Sequence, residues 1–191
     1  MKLATQRTMR LLDRALIGTL FLLALLLLGV ELARAAEIVP SVGWSHPTGS
    51  EGKASVFGGL ALRNSLLPMV KYEIGAAYRN EKLDDAGTRL RETPITGSLW
   101  LAPMPTWYVG GGIGWYNSTL QHPSGSGLSD ENSHQMGSHL GGGFLIPIVP
   151  AVASLDLNGR YVFLGKEDTP PAPTGKADFW SVSAGVAIKL F

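Results

Sequence analysis

A chain of 191 residues that is 45% hydrophobic, only 16% charged and close to neutral at +1 carries neither a basic footprint for nucleic acid nor an acidic tail. Its 24 glycines and 12 prolines suit an all-β chain with many turns. The absence of cysteine excludes disulfides, catalytic thiols and a cysteine-linked lipid anchor.

Residues 1–35 read as a cleaved signal peptide. Lys2, Arg7, Arg10 and Arg14 form a basic start, Ala15–Val30 is an uncharged apolar run, and "ELARAA" puts Ala33 and Ala35 at the −3 and −1 positions of a cleavage site. The rival reading is a permanent membrane helix, but the run falls short of the ~20 residues that one needs. Residues 36–191 are then one exported domain. No second apolar run of that length follows Ala36, so a mature chain that enters a membrane must do so as a closed barrel.

Period-two alternation and turn residues predict eight strands in that domain. They run over Glu37–Trp44, Ala54–Asn64, Met69–Arg79, Thr93–Ala102, Thr106–Asn117, His134–Ile146, Ala151–Leu164 and Asp178–Leu190. The connections alternate without a miss. "SHPTGSEGK", "NEKLDDAGTRLRE", "STLQHPSGSGLSDENS" and "GKEDTPPAPTGKA" are long, whereas "SLLP", "PMP" and "PIVP" are short. An up-and-down meander whose two ends face different surroundings produces this pattern, as transmembrane barrels do.

Each strand has two unlike faces. In "TWYVGGGIGWYN" (106–117) the odd positions are apolar, with Trp107 and Trp115 at the ends, while the even positions are Tyr108, Gly110, Gly112, Gly114 and Tyr116. The third strand sets Val70, Tyr72, Ile74, Ala76 and Tyr78 against Lys71, Glu73, Gly75, Ala77 and Arg79. The seventh sets Ala153, Leu155, Leu157, Gly159, Tyr161 and Phe163 against Ser154, Asp156, Asn158, Arg160 and Val162.

The same alternation would suit a soluble, lipocalin-like periplasmic barrel with its polar faces outward. Face composition favours lipid outside. Trp107, Trp115, Trp180, Tyr161 and Phe163 sit near strand ends as an aromatic girdle requires. The polar faces mix small residues with a few ions of both signs, which suits a cramped interior. Trp107 and Trp115 are roughly 26 Å apart along the strand, or ~20 Å in height at ~40° tilt, against an apolar band of ~25 Å. The expected fold is an all-β, eight-stranded, antiparallel, up-and-down transmembrane barrel. Glycines on the inner face would leave room for neighbouring side chains.

The stretches "WYVGGGIGWY" (107–116), "LNGRYVFLG" (157–165) and "SAGVAIKLF" (183–191) resemble the small outer-membrane β-barrel superfamily, the OmpA-, OmpX- and OmpW-like proteins. The resemblance implies a Gram-negative outer membrane, with its lipids as partner and insertion by the barrel-assembly machinery, which reads a terminal aromatic such as Phe191. The long loops would face outside and both mature termini the periplasm. One departure stands out: Phe191 is in phase with Lys189, Ala187 and Gly185, while the apolar stripe ends at Leu190.

An eight-stranded barrel is just wide enough for side chains to fill. Arg63, Lys71, Glu73, Asp156 and Arg160 are therefore expected to form a structural charge network in the lumen, Lys71 with Glu73 and Arg160 with Asp156, Arg63 joining either. No cofactor, metal or catalytic site is expected. His46, His122, His134 and His139 match no zinc spacing. Ser138 and His134, with Asp130 and Glu131 nearby, stand too far apart on one strand for nucleophilic catalysis. The reading is a non-enzymatic structural or surface-interacting barrel. The alternatives are a narrow channel for small or apolar solutes and, after it, an outer-membrane lipid hydrolase or the soluble barrel.

Overall fold

The computed structural model describes residues 36–48, 54–82, 88–122, 129–164 and 178–190. Residues 1–35, where a signal peptide is predicted, the tips of the four long connections and Phe191 lie outside the described residues. Eight strands follow one another: β1 (Glu37–Pro47), β2 (Ser55–Leu67), β3 (Val70–Lys82), β4 (Arg89–Met104), β5 (Trp107–Gln121), β6 (Glu131–Val149), β7 (Ala153–Leu164) and β8 (Phe179–Lys189). Each pairs antiparallel with its neighbour in the chain, and β1 pairs with β8, so the sheet closes into a barrel without a free edge.

The apolar stripes point outward. Ile113 is 61% exposed and Phe144 63%, and Val42, Leu60, Ile74, Ile95, Leu99, Leu140, Val182 and Ile188 share that surface. The opposite faces line the lumen with Ser45, Arg63, Glu73, Glu92, Ser98, Asp156 and Asn158, all buried. A soluble barrel would need the reverse, since water outside and an apolar centre put the stripes inside. This polarity excludes the lipocalin-like arrangement.

Several strands are longer than hydrophobic alternation predicts. β4 starts at Arg89 rather than Thr93, β5 runs on to Gln121, and β6 extends in both directions, from Glu131 to Val149. The added ladder above the apolar band pairs Arg89 with Gln121, Arg91 with Thr119, and Thr119 with Asn132. These residues share the outward face and are all polar, so the backbone bonding that makes them strands continues no outward apolar stripe for the sequence to show.

The connections at the other end are tight, with Pro68 and Met69 between β2 and β3, Pro105 and Thr106 between β4 and β5, and Pro150–Val152 between β6 and β7. A register shift stands beside each of them, between Ser65 and Leu67, Leu101 and Met104, and Pro147 and Val149. Bulges at a barrel rim let strands bend into their turns.

Candidate functional site

Among the described residues, it is in the lumen that strands distant in sequence bring ionisable side chains together. At mid-height Arg63 on β2 is the hub. Its guanidinium donates through Nε to Glu73 Oε2 at 2.8 Å and through Nη2 to Asp156 Oδ2 at 2.8 Å. Glu73 also accepts from Arg160 Nη2 at 2.6 Å through its other oxygen. The Tyr108 hydroxyl donates to Asp156 Oδ1 at 2.6 Å and accepts from Asn158 Nδ2 at 2.9 Å. Arg160 Nε donates to Asn158 Oδ1 at 2.8 Å, which closes the ring of contacts.

Aromatic rings pack this cluster from below and beside. Arg63 lies over the Tyr108 ring, 4.6 Å from its centroid, and Arg160 over Trp100 at 5.1 Å. Trp100 meets Tyr108 edge-on at 5.2 Å and is fully buried. Trp100 Nε1 finds no hydrogen-bond partner there. Arg63 and Glu73 are each 1% exposed. Buried ions are tolerated when paired and hydrogen-bonded, and this cluster pairs each of its ions, with Arg63 Nη1 the one guanidinium nitrogen of the hub left without a partner.

Closer to the long-loop end, a second group forms. Arg79 on β3 pairs with Glu92 on β4, donates through Nη1 to Ser45 Oγ at 2.8 Å and covers the Phe179 ring at 4.7 Å. Tyr116 meets Phe179 edge-on. Between the two groups lies a cavity of about 120 Å³, with Glu73, Asn158 and Arg160 as its floor and Arg79, Glu92, Tyr116 and Phe179 at its outer end. That is room for several waters. Small residues, among them Ser41, Gly59, Gly75 and Ser183, form its wall. Arg63, Tyr108 and Trp100 do not line it; they stand beneath its floor.

At the short-turn end, Lys71 Nζ donates to both Glu37 oxygens at 3.2 and 3.3 Å. The paired lumen charges balance: Arg63, Lys71, Arg79 and Arg160 face Glu37, Glu73, Glu92 and Asp156.

The predicted charges share the lumen, but their partners differ from the expectation. Lys71 bonds Glu37 rather than Glu73, and Arg160 bonds Glu73 rather than Asp156. The reason is geometric. Residues two or four apart on one strand face are separated by ~7 or ~13 Å, whereas closure brings side chains from opposite walls within hydrogen-bond range. Sequence reading missed Glu37, Arg79, Glu92, Tyr108, Asn158 and Trp100 as members. The signal for most of them was their inward parity, which they share with the five predicted ions.

The inner glycines answer to two causes. A Cβ on Gly143 would meet the Tyr108 hydroxyl and ring, so this glycine does make room for a lumen side chain. A Cβ on Gly110 or Gly112 would instead strike the β4 backbone, at the carbonyl oxygens of Leu99 and Gly97. There glycine permits close approach of two strands.

On the outer surface Trp115, Trp180, Tyr161 and Phe163 lie toward the long-loop end, and Trp107 at the short-turn end beside its register partner Phe144. His46 stacks on Trp180 at 5.6 Å. His134 and Ser138 both lie on the exposed side of β6, and the His134 ring bonds Asn117 Oδ1 at 2.6 Å. His139 faces the lumen and contacts Ser98 Oγ at 2.9 Å.

No protein-family model and no curated protein matches the chain in sequence. Solved structures do match in shape. Neisserial surface protein A superposes with a TM-score of 0.57 at 16% identity, over 81% of this chain and 97% of that one. Ail, the attachment invasion locus protein of Yersinia pestis, gives 0.56 at 12% identity over 82% and 98%. A major outer membrane protein from Thermus thermophilus gives 0.56 at 15% identity over 81% and 99%. With its closed eight-stranded meander, outward apolar stripes and filled polar lumen, the chain has the fold of the small outer-membrane β-barrels.

Proposed function

We propose that the protein is a non-enzymatic barrel of the Gram-negative outer membrane. Its lumen is a structural plug, and its contact with the outside runs through the four long connections. In this reading the short-turn end of the barrel and both ends of the mature chain are on the periplasmic side, and the barrel-assembly machinery inserts the chain. The observation that carries the proposal is the mid-lumen cluster. Arg63, Glu73, Asp156, Arg160, Tyr108 and Asn158 bond one another across the lumen with the Trp100 ring packed against them, and the cavity above ends on this cluster. A barrel plugged in this way offers its surroundings only its rims. The likeness to an attachment invasion protein is in keeping with a role at the surface.

A second reading, a narrow solute channel, draws on the 120 Å³ cavity, because a rearranged floor would extend it through the barrel. Conductance in planar bilayers separates the two. Protein refolded from Ala36 onward, its insertion verified by heat-modifiable gel mobility, is expected to give no discrete current steps. Reproducible steps would replace the plug with the channel.

A further inference from the structure

Water-facing turns are usually built from Gly, Asn, Asp, Ser and Pro. The three short turns here keep proline and little else of that set. Residues 65–69 read "SLLPM", 102–106 "APMPT" and 147–152 "PIVPAV", without one charged residue among them. Leu66, Leu67, Met69, Met104, Ile148, Val149 and Val152 are all exposed. Of the charges at this end, Glu37 and Lys71 are turned into the lumen and bonded to each other. Lys189 is exposed, but it lies in phase with the lumen-facing Gly185 and Ala187, at the mouth of the barrel.

The β6–β7 turn also sacrifices backbone comfort. Val152 N–H bonds the Val149 carbonyl at 3.0 Å, Pro150 takes the second position, and Ala151 takes the third with φ at 62°. Glycine or asparagine is the unstrained residue for that position. Alanine keeps the tip apolar at the cost of strain.

This apolar rim is continuous with the outer band. On β6 the outward residues Met136, Leu140, Phe144, Ile146 and Ile148 run to the turn without a polar break below Ser138. Phe144 pairs with Trp107, so Ile148 lies roughly 13 Å further along the strand than the inner indole belt. From Met136 to Ile148 the outward wall, broken once at Ser138, is ~40 Å long, or ~30 Å in height at ~40° tilt. The Trp107–Trp115 flank offers only ~20 Å of height and the usual band is ~25 Å.

We infer that the short-turn rim is a lipid-docking surface: its turns sit among acyl chains, not in periplasmic water, and the β6–β7 hairpin reaches deepest beyond the indole belt. Acyl chains are the occupant because the rim extends the same surface that meets them higher up, and the turns carry no charged side chain for a protein partner to read. The inference rests on the membrane reading of the outer face. Mismatch of this size is absorbed by tilt of the barrel or local thickening of the bilayer.

The chain has no cysteine, so single labels are clean. Val149→Cys, Met69→Cys, Phe144→Cys and Asn132→Cys, each carrying an environment-sensitive fluorophore, are reconstituted in phosphatidylcholine vesicles with acyl chains brominated at successive depths. Folding of each is checked by gel mobility. Labels at Val149 and Met69 are expected to be quenched at least half as strongly as at Phe144, and to resist iodide. Asn132, on the exposed long-loop side of β6, should show the opposite on both counts. Iodide access at Val149 and Met69 with strong lipid quenching at Phe144 would overturn the lipid-docked rim and leave the membrane barrel standing. Resistance to both quenchers at the rim would overturn it in favour of a protein partner or second copy. Failure of lipid quenching at Phe144 would remove the membrane reading and this inference together.

Discussion

The two ion groups above and below the cavity are made from the same kinds of side chain and are built differently. In the inner one, Arg63 faces two carboxylates, and each carboxylate has a second partner, Arg160 for Glu73 and Tyr108 for Asp156. Four strands contribute, and the hub itself lies beneath the cavity floor. In the outer one, Arg79 has one carboxylate, one hydroxyl and one ring, and both ions line the cavity. The contrast teaches where a lumen charge matters. Loss of an ion costs what it takes to strand its partner, and that depends on whether the partner can reach water.

The sharpest way to break the comparison is to remove the inner hub. Arg63→Ala leaves Asp156 with Tyr108 as its side-chain donor, in a site that does not border the cavity. Truncating one partner of a buried pair costs about 3–5 kcal/mol, and the same loss is expected here by urea unfolding in vesicles followed by gel mobility. The variant is also expected to give current steps that the native protein lacks, because the guanidinium occupies the plug. A stability loss no larger than that of an exposed pair would mean that water already enters beneath the floor.

Arg79→Ala addresses the other side of the contrast. Glu92 is buried, yet it faces the cavity, where water can replace the lost guanidinium. The expected loss is about 1–2 kcal/mol, between the values for exposed and buried pairs, with no current steps because the floor remains. The same unfolding assay checks it. Equal losses for Arg63→Ala and Arg79→Ala would erase the distinction between the two groups.

How far this was legible in the sequence depends on the range of the interaction. Strand count and closure were legible because they follow from local rules, parity along Val70–Arg79 or Ala153–Phe163 and proline turns alternating with long loops, and face polarity was legible from the composition of the two faces. Strand ends above the band were not, because Arg89–Glu92 and Ser118–Gln121 carry too little apolar alternation to mark them. Which ions share the lumen could be read from parity. Who bonds whom could not, because Arg160 meets Glu73 only through closure of the sheet, and no spacing within one strand encodes a contact across the barrel. Trp100 was hidden for a related reason: its parity puts it on the inward face with Thr96 and Ser98, but nothing along β4 shows that its ring packs against Tyr108 and Arg160.

The smallest effect belongs to one of the two ion pairs that sequence reading misassigned. Lys71 bonds Glu37 at the short-turn mouth of the lumen, and its side chain is the most hydrated of the paired cations apart from Arg160. Glu37 does not depend on it alone. In register it stands beside Arg63 on β2 and Lys189 on β8, so two cations remain across the ladders on either side when Lys71 is removed. Lys71→Ala is therefore expected to cost less than about 1 kcal/mol, the range of partly solvated pairs, and a double-mutant cycle with Glu37→Gln should give a coupling of the same size that shrinks with added salt. A salt-insensitive coupling as large as that of the Arg63 hub would mean that this mouth is sealed from water, and that the plug extends to the end of the barrel.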